Sequence, residues 1–280
     1  MFRNTNFGIL MRKVGRFYAF NWRSLDYFCF FAKSKTTKMN KFTKAIAAIM
    51  LMIVAAIVVA GCNKSDEPNN EENQGASVSG NIGNHDYVDL GLPSGTLWAT
   101  CNIGAATPEE RGDYFSWGET SPKEDYSWDT YQYGRWGSSF TKYFLSPFEG
   151  YQGFADNLKV LEECDDAASV LWGGGWRIPT YRQWKELINN CTLDGPYVNG
   201  TNDWAFVGPN GNRLVLPFAG YKEGTTVSGY HGYYWSSSLY AEHPDDSGSA
   251  WLFFNEGNEY DMSFDFRNLG LTIRPVHPAE

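Results

Sequence analysis

An uncharged apolar run near the N-terminus divides the chain more sharply than any other feature. Residues 45–60 are sixteen apolar side chains without a charge, and Lys41 and Lys44 precede them. A membrane-spanning helix needs about 20 such residues, whereas a basic start before a shorter apolar core is typical of a signal peptide. The pattern therefore predicts export, with residues 39–61 as the signal peptide.

The apolar run ends in small residues followed by a cysteine, Cys62. This ending resembles the bacterial lipobox, whose cysteine is acylated and becomes the new N-terminus. We therefore predict lipidation of Cys62, with a transmembrane anchor or an ordinary signal peptide as the alternatives. Met39 is a natural start for such a signal. Residues 1–38 are then an over-extended start or a disordered leader, or alternatively a cytoplasmic tail.

Residues 62–84 are polar and acidic, and they predict a flexible tether. The run 64–67, Lys-Ser-Asp-Glu, resembles the surface-export signal of Bacteroidetes lipoproteins. That resemblance implies an outer-membrane lipoprotein that faces the cell exterior and whose membrane contact is the lipid on Cys62. A plain linker is the alternative interpretation of the same residues.

The charge of the chain differs between its two parts. The formal net charge is −9, but residues 1–61 hold ten basic residues and one acidic residue, so residues 62–280 carry −18. An acidic body excludes a nucleic-acid partner, because phosphate contacts need a basic face. Aromatic residues make up 17% of the chain, enough to bury a core. The 219 residues from 62 to 280 suit one domain, which we expect to cover residues 85–280.

Local patterns predict an α+β domain. Turn residues separate strands at 87–90 and 96–100, and Asn210-Gly211 predicts a hairpin of 204–207 with 213–216. Thr180 and Gln183 have the form of a capping box, so we expect a helix over 180–190. A short helix is expected to start at 165–169, and residues 105–153 should be loop-rich. Further short strands are expected at 233–239, 250–255, 259–266 and 271–276.

Five stretches occur in an order that resembles one protein family. They are residues 88–100, 112–119, 175–184, 234–238 and 273–276. The set is similar to the Fibrobacter succinogenes major paralogous domain, which is common among Bacteroidetes lipoproteins. The resemblance implies a C-type-lectin-like domain, related to formylglycine-generating enzymes, with short antiparallel strands, two small helices and long loops. It also implies that the N- and C-terminal strands pair.

Six residues of these motifs and of the neighbouring periodic elements are expected to be structural. The tryptophans should lie in the core. The arginines should hold strands together by pairing with acidic side chains or with backbone carbonyl groups. The six are Trp176, Arg177, Trp184, Trp235, Trp251 and Arg274. The resemblance does not extend to enzyme chemistry, because formylglycine-generating enzymes rely on late cysteines and none follows Cys191 here. We therefore expect no catalytic residue, cofactor or metal.

An aromatic segment, residues 126–136, is the candidate contact surface. Five aromatic residues alternate with polar ones there, a mixture suited to stacking on sugar C–H faces or gripping a peptide. The candidate contact residues are Trp128, Tyr131, Tyr133 and Trp136. The alternative is that this long loop region forms its own small core.

The expected function is a surface-exposed, lipid-anchored, non-catalytic binding module for a glycan or a protein. The alternative is a structural component of a fimbrial or polysaccharide-capture assembly, and a glycan-active enzyme is the third possibility. The acidic cluster Glu162, Glu163, Asp165 and Asp166 predicts a solvated helix cap, with calcium binding or catalysis as the alternatives. Export permits one disulfide among Cys101, Cys164 and Cys191, but the sequence does not select the pair.

The lipobox interpretation makes a direct prediction about membrane attachment. Cys62→Ser should move the protein from the membrane fraction to the soluble fraction, because the thiol that would carry the lipid is absent. Cys164→Ser, in the domain after the tether, is the matched control and should leave the attachment unchanged. Cell fractionation with immunoblotting measures both. Membrane attachment that persists in Cys62→Ser would contradict the interpretation.

Overall fold

A computed structural model describes residues 75–135, 139–195, 204–242, 248–256 and 259–279. All of them fall in one unit, residues 70–280. The predicted leader, the signal peptide, Cys62 and Trp136 lie outside the described residues. Within the described residues, no helix is both long and apolar enough to cross a membrane.

Short strands make up most of the regular structure. They are β1 (Gly80–Ile82), β2 (His85–Asp89), β3 (Leu97–Ala99), β4 (Thr192–Asp194), β5 (Trp204–Val207), β6 (Arg213–Leu216), β7 (Tyr221–Glu223), β8 (Thr226–Ser228), β9 (Gly232–Leu239), β10 (Ser249–Glu256), β11 (Glu259–Phe266) and β12 (Val276–His277). Their pairings are antiparallel. In the described part of the chain, two α-helices, α1 (Ala167–Trp172) and α2 (Tyr181–Asn190), complete an α+β fold dominated by strands.

The strands form four small sheets, with the orders β1-β2-β3-β12, β11-β10-β9, β4-β5-β6 and β7-β8. The first sheet joins the two ends of the domain. Val276 of β12 lies opposite Trp98 of β3, and His277 lies opposite Leu97. The expected pairing of the N- and C-terminal strands is therefore observed.

The sheet β11-β10-β9 lies between two hydrophobic cores. Successive side chains of a strand point to opposite faces, so neighbouring residues serve different cores. Trp235 and Leu252 belong to one core, with Phe115 and Trp117. Tyr234 and Phe253 belong to the other, where the Phe253 ring stacks on Trp184 of α2 at 4.6 Å between centroids.

The elements with the clearest local signals are confirmed. Strands β2 and β3 pair across the predicted turn, and β5 and β6 pair across the Asn-Gly turn, where Gly211 has φ +86°. At α2, the Thr180 side chain accepts a hydrogen bond from the Gln183 N–H, and the Gln183 side chain accepts one from the Thr180 N–H. This is the predicted capping box.

The domain begins before the predicted residue 85. Residues 80–82 form β1, and the Ser77 N–H donates to the Arg213 carbonyl oxygen 2.9 Å away. Gly83 and Asn84 both have positive φ, which allows a tight turn from β1 to β2. The end of the predicted tether, residues 80–84, is thus part of a β-hairpin.

The predicted strand 271–276 is wrong in its extent, because only Val276–His277 is a strand. The preceding residues pair one by one with different elements: Leu271 bridges Phe115, and Thr272 bridges Tyr234. Pro275 has no N–H to continue a ladder. Strands β1, β4, β7 and β8 were not expected from the sequence.

Most of the expected structural residues are buried. Trp176, Trp184 and Trp235 are core residues, as predicted, and Trp251 is half-buried. The Arg274 guanidinium donates to the carbonyl oxygens of Ala99 and Thr100, and to the Asn102 side chain, so it does lock strands. Arg177 is different: its side chain is exposed, and its backbone pairs with Val276.

Candidate functional site

The predicted aromatic contact segment folds largely into a small core. Tyr131 is 5% exposed and Tyr133 is 7% exposed, so their rings are not available to a ligand. Trp128 is half-buried and packs against this core, which also contains Phe140 and Phe144. The prediction of Tyr131 and Tyr133 as contact residues is therefore wrong, and the alternative of a small loop core is correct.

A buried carboxylate, Asp165, holds this loop core together. It accepts hydrogen bonds from the Tyr133 hydroxyl at 2.6 Å, the Tyr143 hydroxyl at 2.5 Å and the Lys142 ammonium at 2.5 Å. Burial alone would raise the pKa of Asp165, but these hydrogen bonds outweigh burial and hold the pKa below its ordinary value. Burial, reinforced by hydrogen bonds to Asp165, raises the pKa of both tyrosines.

The acidic cluster is only partly the solvated cap that the sequence predicts. Glu162 and Glu163 are exposed, but Asp165 and Asp166 are buried. Asp166 does cap α1, since its side chain accepts from the Ser169 N–H. Its burial raises the pKa of its carboxyl group. The two aspartates are thus anchored in the interior rather than solvated.

Possible metal donors meet at the same place. Donor atoms of Glu162, Cys164 and Asp165 lie within 4.8 Å of one another. However, the Lys142 ammonium contacts both carboxylates, each at 2.5 Å. A cationic group therefore already pairs with both carboxylates, and the geometry favours an ion-pair network over a cation site.

The three cysteines of the domain are free thiols. Cys164 is exposed, Cys101 is half-buried and Cys191 is buried. Burial raises the pKa of the Cys191 thiol to about 12, which makes it unreactive. No disulfide pair of the kind that export would permit is present among them.

Four partly accessible aromatic rings lie in contact with one another at one end of the sheet β11-β10-β9, whereas more exposed rings such as Phe148 and Tyr230 lie elsewhere. We call this group the aromatic face, and it consists of Tyr181, Tyr240, Trp251 and Phe264. Centroid distances are 4.5 Å from Tyr181 to Trp251, 4.9 Å from Trp251 to Tyr240 and 3.9 Å from Tyr240 to Phe264. Phe264 is 48% exposed, and the other three side chains are half-buried.

Four separate elements place these rings together. Trp251 of β10 lies directly opposite Phe264 of β11, and Tyr240 follows the last residue of β9. Tyr181 opens α2, and its N–H donates to the Ser238 hydroxyl oxygen at 3.1 Å. Only Trp251 of the four was singled out from the sequence, as a core residue, and its half-buried ring corrects that expectation. The available signal was Phe264 and Phe266 at alternate positions of β11, a pattern that also fits a buried strand face.

A cavity of about 280 Å³ is a second feature of the surface. The 3₁₀ turn Glu163–Asp165 and helix α1 form one side of the cavity, and the loop after α1 forms the other side. Its lining residues are Leu161, Glu163, Asp166, Ser169, Gly173, Gly175, Trp176 and Arg177. We call it the loop cavity.

Comparison with family profiles, curated proteins and solved structures finds no match for this chain.

The Asp165 network makes a prediction about stability. Asp165→Asn should lower the free energy of unfolding at pH 7 by about 2 kcal/mol, because the ion pair of Asp165 with Lys142 is lost. The loss should not be larger, because Lys142 is partly exposed and keeps its contact with Glu162. The pKa of Asp165 is lowered in the folded state, so its stabilisation is present above pH about 4 and is lost as pH falls through the folded pKa. The difference between variant and wild type should therefore shrink on acidification.

Urea denaturation at several pH values measures this effect. Asp129→Asn is the matched control, because Asp129 pairs with Arg135 at an exposed position. Its effect should stay within about 0.5 kcal/mol. Equal effects of the two substitutions at pH 7 would contradict the role of Asp165.

Proposed function

We propose that this chain is a non-catalytic, lipid-anchored binding module that displays its domain outside the outer membrane and binds a neutral glycan through the aromatic face. Membership of the Fibrobacter succinogenes major paralogous domain family, with a C-type-lectin-like fold, is part of the proposal. Paired terminal strands, two helices and a long loop region support it. The antiparallel pairing of β12 with β3 is the most specific of these features.

The continuous group of partly exposed rings in the aromatic face carries the proposal. Aromatic rings prefer offset or edge-to-face contacts with one another, and such contacts fix each ring before a ligand arrives. Trp251 meets Tyr240 at an interplanar angle of 72°, and Tyr240 stacks on Phe264 at 18°. The half-exposed Phe264 at the end of this stack is accessible to the C–H face of a sugar. Rings held in this way lose little conformational entropy on binding.

The net charge of the domain favours a neutral ligand. The chain after residue 61 carries −18 overall. An anionic polysaccharide would be repelled by this charge, whereas a neutral one would not.

A structural role in a surface assembly is the second candidate, and one observation favours it. Among the described residues, β11 has a neighbouring strand on one side only, so it is an edge strand. Phe264 and Phe266 are exposed on it. An edge with exposed aromatic side chains can accept an added strand from another protein.

The glycan proposal predicts the outcome of a glycan array. Wild-type protein should bind neutral glycans, and Phe264→Ala and Tyr240→Ala should each weaken binding about tenfold or more, the loss expected on removing one ring contact. Phe148→Ala is the matched control, because Phe148 is 87% exposed and is not part of the aromatic face. It should bind as wild type does.

Two results would contradict the proposal. One is the absence of any glycan binding by the wild-type protein. The other is glycan binding that Phe264→Ala and Tyr240→Ala leave unchanged. Circular dichroism of each variant shows that a loss of binding is not a loss of folding.

A further inference from the structure

The loop cavity has two exposed charges of opposite sign. Glu163 and Arg177 line the cavity and both are exposed. Within the described residues, neither side chain has a hydrogen-bond or ion-pair partner. Both charges face the same cavity, yet they do not form a salt bridge with each other. The cavity therefore presents an unpaired cation and an unpaired anion to solvent.

The interior of the cavity is fixed by buried polar contacts. One Asp166 carboxylate oxygen accepts from the Ser169 N–H at 3.0 Å, and the other accepts from the Ile178 N–H at 2.8 Å. The Ser169 hydroxyl donates to the Trp176 carbonyl oxygen at 3.0 Å. These contacts tie α1 to the loop that follows it. The shape of the cavity is thus set before any ligand binds, which lowers the entropic cost of binding.

The size and charge of the cavity define the ligand class. Its volume of about 280 Å³ lies just below the ~300–1,000 Å³ of sites for drug-sized ligands, so the ligand is small. A simple anion bound to Arg177 would be repelled by Glu163. A simple cation bound to Glu163 would be repelled by Arg177. A neutral sugar would desolvate both charges without an opposite charge for either, which is costly.

We infer that the loop cavity binds a small zwitterion, a free α-amino acid, with its carboxylate on the Arg177 guanidinium and its ammonium group on the Glu163 carboxylate. A guanidinium presents a planar fork that matches a carboxylate through two parallel hydrogen bonds. A carboxylate is the matching acceptor for an ammonium group. This site is separate from the aromatic face and is independent of the proposed glycan function.

Ligand-observed NMR with the standard amino acids as probes tests this inference on the purified protein. Saturation transfer should identify bound amino acids, and titration calorimetry should give their affinities. The N-acetyl derivative and the methyl ester of the best ligand each remove one charge. Each derivative should bind about tenfold or more weakly, as expected for loss of one charge-assisted contact.

Two variants assign each charge to its residue. In Glu163→Gln, the amino acid and its N-acetyl derivative should bind equally, because the partner of the ammonium group is gone. In Arg177→Gln, the amino acid and its methyl ester should bind equally for the corresponding reason. Both residues are exposed, so both variants should fold. Arg182→Gln, an exposed arginine on α2, is the matched control and should leave all affinities unchanged.

Several outcomes would overturn the inference. They are no amino-acid binding at millimolar concentrations, derivatives that bind as well as the parent amino acid, and variants that bind as the wild type does. Preferential binding of neutral monosaccharides that depends on Arg177 would also overturn it. Phe264→Ala should leave amino-acid binding intact, so failure of this inference and failure of the glycan proposal are distinguishable.

Discussion

The C-terminal segment, residues 267–277, is the part on which the rest of the domain depends. It is a short length of chain, yet its backbone is hydrogen-bonded in turn to most other parts of the fold. Leu271 exchanges two hydrogen bonds with Phe115, and Gly270 exchanges two with Lys222. The Trp235 N–H donates to the Thr272 carbonyl oxygen. Buried backbone groups need partners, and this segment supplies them to several elements at once.

Two fully buried arginines strengthen this arrangement. Arg274 donates to carbonyl oxygens at the end of β3, and Arg267 donates to the Tyr143 carbonyl oxygen in the loop core. The Arg267 guanidinium also lies 4.2 Å from the centre of the Phe140 ring. Burial lowers the pKa of both arginines. Carbonyl oxygens and aromatic rings thus serve as their partners in place of carboxylates. Through these two side chains, the C-terminal segment contacts both the sheet β1-β2-β3-β12 and the loop core.

Features that depend on neighbouring residues were predictable from the sequence. The Asn210-Gly211 turn and the Thr180 capping box are local, and both are present. The Asp165 network was not predictable, because Tyr133 and Tyr143 precede Asp165 by 32 and 22 residues. The same reason explains why Tyr131 and Tyr133 lie in the loop core while rings from four separate elements form the aromatic face. The sequence indicates which aromatic residues can be buried or can stack on a ligand. Tertiary contacts decide whether each ring is buried or stays accessible.

Native-state hydrogen exchange, measured by NMR, is the most direct test of the claim that residues 267–277 organise the domain. The account predicts that the amides of Gly270 and Leu271, and those of Phe115 and Trp235 that donate to this segment, exchange only through global unfolding. Their exchange free energies should then equal the free energy of unfolding from denaturation. The edge strand β1, which pairs with β2 only, should exchange by local opening at lower free energy. Exchange of Gly270 and Leu271 at the rate of β1, while α2 stays protected, would contradict this role of the segment.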